Sequence, residues 1–111
     1  MFNCCRFEDN KIGFVCTGYS HDNSTHGIVT GSSFNHNDAY SIAAIDVDQG
    51  FTFSGCQDWG STILICNSRG FSYTGGIIDA EIKNINPMSG ASNMIHSCIL
   101  NDSFHNLGIN D

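Results

Sequence analysis

Two apolar stretches of the sequence each carry a pair of acidic residues that could do acid–base chemistry. In "AAIDVDQG" the alternation of a β-strand turns the aliphatic side chains inward and leaves Asp46 and Asp48 outside. In "GIIDAEIK" the same alternation leaves Asp79 and Glu81 outside. Glycoside hydrolysis needs two carboxyl groups, about 5 Å apart for retention or about 6.5–9.5 Å apart for inversion. The four acids are therefore candidate catalytic residues; the alternative is that they are solubilising surface acids or turn formers.

A second group of residues could bind a sugar. Trp59 is the only tryptophan, and it follows Asp58 at the point where the chain leaves a short β run. An exposed indole offers an apolar face to a sugar ring and an N–H group to donate. We therefore predict that Trp59 and Asp58 bind substrate, with Tyr40 and Tyr19 as weaker candidates. The alternative for Trp59 is that it only covers a corner of the fold.

The histidines and the nucleotide-binding motifs give no support for a metal or a cofactor. The stretch "HDNSTH" places two of the five histidines in one polar loop, but no thiols or carboxylates converge on them by spacing. We expect solvated loop histidines at His21, His26, His36, His96 and His105. The sequence has no G-x-S-x-G, Walker or dinucleotide fingerprint. We predict neither a metal site nor a cofactor.

The composition is that of an all-β protein. The 111 residues allow one domain, only 14% of them are charged, and good helix formers are scarce. The net charge is -7, and the four Lys and Arg residues are not clustered. Nucleic acid and anionic membranes are therefore unfavourable partners. No apolar run approaches the ~20 residues of a membrane span, and no signal peptide is visible at the start.

Six cysteines leave three interpretations open. A disulfide framework usually accompanies a secretion signal, which is not visible here. A zinc site is disfavoured because no C-x-x-C occurs. Reduced and mostly buried thiols are the favoured interpretation, since cysteine is often buried even when unpaired.

One segment of the sequence occurs twice in similar form, and this repeat indicates the fold class. "QGFTFSGCQDWG" is followed twenty residues later by "RGFSYTGGIIDA". A small residue after each β run provides an anchor, and successive anchors lie 20 to 27 residues apart. The anchors are Cys5, Ser32, Cys56, Gly76 and Cys98. This spacing predicts an all-β right-handed parallel β-helix of four to five coils.

The predicted β-helix assigns positions to several side chains. Phe51, Phe53, Phe71 and Tyr73 should form inward columns, because like residues of neighbouring coils stack at the ~4.8 Å strand spacing. The tandem asparagines of "NHND" and "IKNIN" are candidates for side-chain ladders between coils. The alternative fold is an antiparallel sandwich, which is disfavoured because hairpin turns of the Asn-Gly or Asp-Gly type are missing.

The run "HGIVTGSSFNHNDAYSIAAIDVDQGFTFSGCQDWGSTILICNSRGFSYTGGIID" resembles the central β-helix of bacteriophage tailspike proteins. The likeness is greatest to the tailspikes of short-tailed phages that recognise the O-antigen of enteric bacteria. The resemblance covers most of the chain and consists in the general residue pattern of the coils. Pectate-lyase-like enzymes share this pattern. The resemblance implies a homotrimer of β-helices lying side by side, with reduced cysteines, made in the bacterial cytoplasm without a signal peptide.

The resemblance also implies a function. Many tailspikes of this kind are endoglycosidases whose catalytic carboxylates lie on successive coils, so Asp48 and Glu81 are the leading pair, followed by Asp46 and Asp79. We expect residues 1–111 to be a single β-helix segment of a longer trimeric tailspike, because both ends would expose open sheet edges. The expected place is the virion, and the expected function is to bind and hydrolyse bacterial O-antigen polysaccharide, although this segment alone need not be active.

Two alternatives remain at this point. The first is a structural β-helical shaft that binds no ligand and has no activity. The second is a pectin-type lyase, which would require calcium and a basic residue near the acids. Only Arg69 and Lys83 are available for that purpose.

Overall fold

The computed structural model describes residues 1–18, 27–48, 50–96 and 98–100. This part of the chain is all β, without a helix, and its parallel sheets stack as a β-solenoid. Every strand pairing in these ranges is parallel. The predicted parallel β-helix is therefore confirmed, and the antiparallel sandwich is wrong. No helix that could cross a membrane occurs in the described ranges.

The described ranges contain twelve strands. Most are short, because a coil changes direction after each of its flat sides and a strand ends there. In chain order they are β1 (Phe2–Asn3), β2 (Arg6–Glu8), β3 (Ile12–Thr17), β4 (Gly27–Thr30), β5 (Ser33–Asn35), β6 (Tyr40–Ile45), β7 (Phe51–Ser54), β8 (Gln57–Cys66), β9 (Phe71–Thr74), β10 (Ile77–Ile85), β11 (Met94–His96) and β12 (Ile99–Leu100).

Each coil has three faces. The first face is the sheet β1-β4-β7-β9-β11, which has one strand from each coil. The second face contains β2, β5, β12 and the first residues of β8 and β10, and the third face contains β3, β6 and the remainder of β8 and β10. Along the first face, the chain makes about three turns between β1 and β9, and β11 begins a further coil.

The long strand β8 bends between the second and third faces at Gly60. This glycine has a φ of 81°, which a side chain would strain. On β10 the same bend coincides with a shift of register between Asp79 and Glu81.

The predicted anchors form one column at the corner between the first and second faces. The residues that directly follow them are aligned by strand pairing, as in Ser33 with Gln57 and Gln57 with Ile77. Backbone hydrogen bonds continue the ladder through the corner: the amide of Gln57 donates to the carbonyl of Ser32 at 2.9 Å. The alignment is confirmed for the whole anchor column, Cys5, Ser32, Cys56, Gly76 and Cys98.

The predicted aromatic columns lie in the core. Phe51 pairs with Phe71 and Phe53 pairs with Tyr73 in register, and all four side chains are buried. The Phe53 ring is 5.4 Å from the Phe71 ring and 5.8 Å from the Tyr73 ring, measured between centroids. Such contacts add to the stabilisation from buried apolar area. The prediction of inward columns is therefore confirmed.

The side chain of Asn37 connects two neighbouring coils through backbone groups, whereas Asn84 bonds to a residue nine positions later in the chain; these bonds are not the predicted ladder of asparagine side chains between coils. Asn37, in the stretch "NHND", donates to the backbone carbonyl of Phe7 at 2.9 Å and accepts from the amide of Asn10 at 3.1 Å. Asn84, in the stretch "IKNIN", accepts from the side chain of Asn93 at 3.0 Å. These bonds satisfy backbone and amide groups at corners where the strand ladder stops.

Candidate functional site

An open cleft of about 420 Å³ lies on the second face, near its corner with the third face. Strand pairing places Asn35 of β5, Trp59 of β8 and Asp79 of β10 side by side, one from each of three successive coils. His36 and Gly60 complete the lining. At the spacing of parallel strands, the row from Asn35 to Asp79 is ~10 Å long.

The side chain of Trp59 is directed outward because its neighbour Asp58 is directed inward, as strand alternation requires. Trp59 is 37% exposed, which is high for an indole. Its Nε1 group donates a long hydrogen bond of 3.4 Å to Oε1 of Gln57. An apolar ring face and a weakly engaged donor are thus available in the cleft, as the sequence predicted for this residue.

Asp58 does not line the cleft, contrary to the prediction that it contacts substrate. Its side chain is fully buried, level with the inward residues Phe34 and Ile78. Burial raises the pKa of Asp58 to about 7, and the charge of Asp79 adds to this increase. Ser41 opposes it, although the Ser41 hydroxyl makes no hydrogen bond of normal geometry with the carboxyl group. Asp58 is therefore a core residue.

The exposure predicted for Asp48 is wrong. Asp48 is only 6% exposed, and both of its carboxylate oxygens are buried without a hydrogen-bond partner in the described part of the chain. The prediction failed because β6 ends at Ile45, so the alternation of a strand does not extend to Asp48. Arg69 donates from Nε to the backbone carbonyl of Asp48, not to its carboxylate, at 3.1 Å.

Asp46 is exposed, as predicted, but it lies in a corner rather than in a strand. Its φ is 59°, a left-handed conformation that Asp and Asn adopt more readily than other side chains. The side chain of Asn67, at the equivalent corner of the next coil, donates to the Asp46 carboxylate at 2.7 Å. Asn67 and Asn86 have the same left-handed backbone. Asp46 thus has a structural role in a polar ladder between coils.

The structure does not bring the leading pair, Asp48 and Glu81, together. Glu81 is level with Thr62 at the beginning of the third face, whereas the corner that contains Asp48 follows Ile45 at its end. Four residues of strand separate these levels, about 13 Å. That exceeds the spacing used by glycoside hydrolases. Glu81 is exposed and forms an ion pair of 3.7 Å with Lys83.

Tyr40, the remaining predicted contact, is half-buried at the start of β6 and pairs with Ile12 on the third face. It is not among the residues that line the cleft. Tyr19, His21, His26 and His105 lie outside the described residues. Of the predicted site residues, Trp59 and Asp79 are therefore the two that the fold brings together.

Cys4, Cys5, Cys16, Cys56 and Cys66 are free thiols. Within the described ranges, no group of three or more His, Cys, Asp or Glu side chains is arranged to hold a metal ion. Comparison with known protein families, curated proteins and solved structures finds no match for this chain. The solenoid is compatible with a fragment of a β-helix.

Sequence reasoning missed Asn35 and His36 as cleft residues, although a signal for Asn35 was present. Asn35, Trp59 and Asp79 each lie three positions after an anchor, namely Ser32, Cys56 and Gly76. The anchor alignment thus already contained the row. His36 has no such signal; it lines the cleft from the corner after β5, where its φ of 54° is left-handed.

Proposed function

We propose that this solenoid binds a bacterial surface polysaccharide along its second face, as a segment of a viral tailspike that recognises and hydrolyses O-antigen. The observation that carries the proposal is the row Asn35, Trp59 and Asp79 in an open cleft. A row of three side chains on three coils suits an extended chain of sugars better than a compact ligand, because successive sugars meet successive coils.

The chemistry of the row matches that of a sugar. The indole of Trp59 presents an apolar surface to the C–H face of a pyranose ring. The carboxylate of Asp79 accepts hydrogen bonds from sugar hydroxyls, and the amide of Asn35 both donates and accepts. The lining contains an acid but no Lys or Arg. Since a carboxylate repels anionic saccharides, the proposed ligand is a neutral or amino-sugar polysaccharide.

Hydrolysis in the parent tailspike would use Asp79, which is the carboxylate of the cleft. The second carboxyl group would come from a neighbouring subunit of the proposed homotrimer, because Asp46 and Asp48 lie in a distant corner and Glu81 is paired with Lys83. In this proposal the protein acts in the virion, at the tail.

The experiment is a titration of the 111-residue chain with O-antigen oligosaccharides, followed by the fluorescence of Trp59, the only tryptophan. Calorimetry provides the affinity of the Trp59→Ala variant, which we expect to be reduced about tenfold, the equivalent of about 1.4 kcal/mol. Ile85→Ala is the matched control, because Ile85 is an exposed apolar residue of the third face. Equal affinities for the wild type and Trp59→Ala would contradict the proposal.

A structural shaft without ligand is the second candidate function. It is favoured by the structural position of Asp46, whose carboxylate joins two coils through Asn67. The same titration separates the two candidates, because a shaft produces neither heat nor a change in Trp59 fluorescence with any oligosaccharide.

A further inference from the structure

A group of polar side chains lies inside the solenoid, away from the cleft, at the level of β8 and β9. Asp58 is at its centre and is 0% exposed. Both carboxylate oxygens of Asp58, the hydroxyl of Tyr73 and the hydroxyl of Ser41 are buried without a hydrogen-bond partner in the described chain. Buried polar groups are usually paired, so such a concentration within one core requires an explanation.

The groups around Asp58 are either neutral or acidic. Phe34 of β5 and Ile78 of β10 are level with it inside the core, and Ser41 of β6 faces it. The groups that interact with it electrostatically are Asp79, Tyr73 and Cys56.

Ser41 is the one of these neighbours that favours a negative charge on Asp58, and the effect of burial outweighs it. The pKa values of Tyr73 and Cys56 are raised, chiefly by burial and further by the nearby Asp58. Asp79 carries a charge of the same sign as an ionised Asp58. An ionised carboxylate here would be both desolvated and unpaired, which a folded core tolerates poorly.

We propose that Asp58 is the proton-binding group of a pH-sensitive device, whose ionisation loosens the solenoid around the inward side of β8. In the protonated form the carboxyl is a neutral hydrogen-bond donor and acceptor that the interior accommodates. In the ionised form it is drawn toward water, and the inward side of β8 must open to let water reach it. The neighbouring Tyr73 belongs to β9, so this strand is affected next.

The sign of the effect follows from linkage. The folded state holds the Asp58 proton up to a pH of about 7, whereas the unfolded chain releases it near pH 3.8. Between these values the folded state binds more protons, so stability decreases as pH rises. The equilibrium constant for unfolding should increase by up to roughly a thousandfold across this window and then level off.

The test measures unfolding by urea between pH 4 and pH 9 for the 111-residue chain, for Asp58→Asn and for Asp38→Asn. Asp38 is an exposed carboxylate and serves as the matched control. Asp58→Asn should lose the decrease of stability between pH 4 and pH 7, and it should be the most stable of the three at pH 8. Asp38→Asn should follow the wild type. Parallel pH profiles of Asp58→Asn and the wild type would overturn the proposal.

A second measurement applies even if Asp58→Asn fails to fold. Carbon-13 NMR of the aspartate carboxyls in the folded wild-type chain should show one carboxyl that titrates about 3 pH units above the ordinary value for aspartate. Amide hydrogen exchange in β8 and β9 should accelerate above that pH more than exchange in β4. A folded protein in which every aspartate is ionised at pH 5.5 would contradict the proposal.

Discussion

The replacement of Gly76 by alanine tests how closely the coils approach at the anchor column. A Cβ atom at Gly76 would overlap the carbonyl oxygen of Cys56 and lie 3.0 Å from its nitrogen and 3.1 Å from its carbonyl carbon. These are backbone atoms of the adjacent coil, so no side-chain rotation relieves the overlap. Gly76 is not in the left-handed region, and the effect is therefore steric.

The cost of this substitution follows from the hydrogen bond at the same place. The amide of Ile77 donates to the carbonyl of Cys56 at 3.0 Å, and a separation of the coils stretches or breaks this bond. The net loss is about 1 kcal/mol for the bond and about 1–3 kcal/mol for a buried carbonyl left without a donor. We therefore expect the free energy of unfolding to fall by about 2–4 kcal/mol, a large part of the stability of a small domain.

Gly55→Ala is the matched control, in the same corner of the preceding coil. Gly55 has a φ of 64°, and a methyl group added there would meet no atom within 4 Å, so the cost of this variant is backbone strain alone, about 1 kcal/mol. Urea unfolding followed by circular dichroism measures both variants. If Gly76→Ala is no less stable than Gly55→Ala, the coils do not make the close backbone contact on which the expected loss depends.

Two further predictions concern the core and the thiols. Phe53→Ala should reduce the free energy of unfolding by about 3–5 kcal/mol in urea titrations, because a fully buried ring is lost. Thr52→Ala, on the outer side of the same strand, should change this free energy little. Equal effects of the two substitutions would mean that the aromatic column does not stabilise the core. Burial raises the pKa of Cys16 to about 12, so in the folded chain at pH 8 this thiol should react far more slowly with a disulfide reagent than the exposed Cys4. In denaturant the two thiols should react at similar rates, and equally fast reaction in the folded chain would contradict the burial of Cys16.

The fold was predictable because a solenoid converts sequence periodicity directly into spatial contact. Residues one period apart become neighbours in adjacent coils, so the correspondence of Phe53 with Tyr73 in the sequence is also their pairing in the sheet. The anchor column and the position of Trp59 beside Asp79 follow from the same rule. No long-range information beyond the period was needed for them.

The corners were less predictable, because alternation applies only within a strand. Asp46 adopts a left-handed φ directly after β6, and this interrupts the pattern that would have placed Asp48 outside. A sequence pattern of acids and aliphatic residues does not mark where a strand stops. The prediction that Asp46 and Asp48 face outward together therefore failed at Asp48, whereas Asp46 is exposed. The half-buried Asp79, inside a strand, has a position consistent with the prediction.

The period of the sequence repeat is by itself enough to establish the parallel stacking, the inward aromatic columns and the anchor residues of this protein. The three-dimensional fold was needed to show which acids reach solvent, which are enclosed and how far apart they lie. Asp46 and Asp48 are two positions apart in the chain, yet Asp46 is exposed and Asp48 is enclosed. The physical reason is that exposure depends on where each coil turns relative to its neighbours, and the turns are set by backbone conformation at a few corner residues.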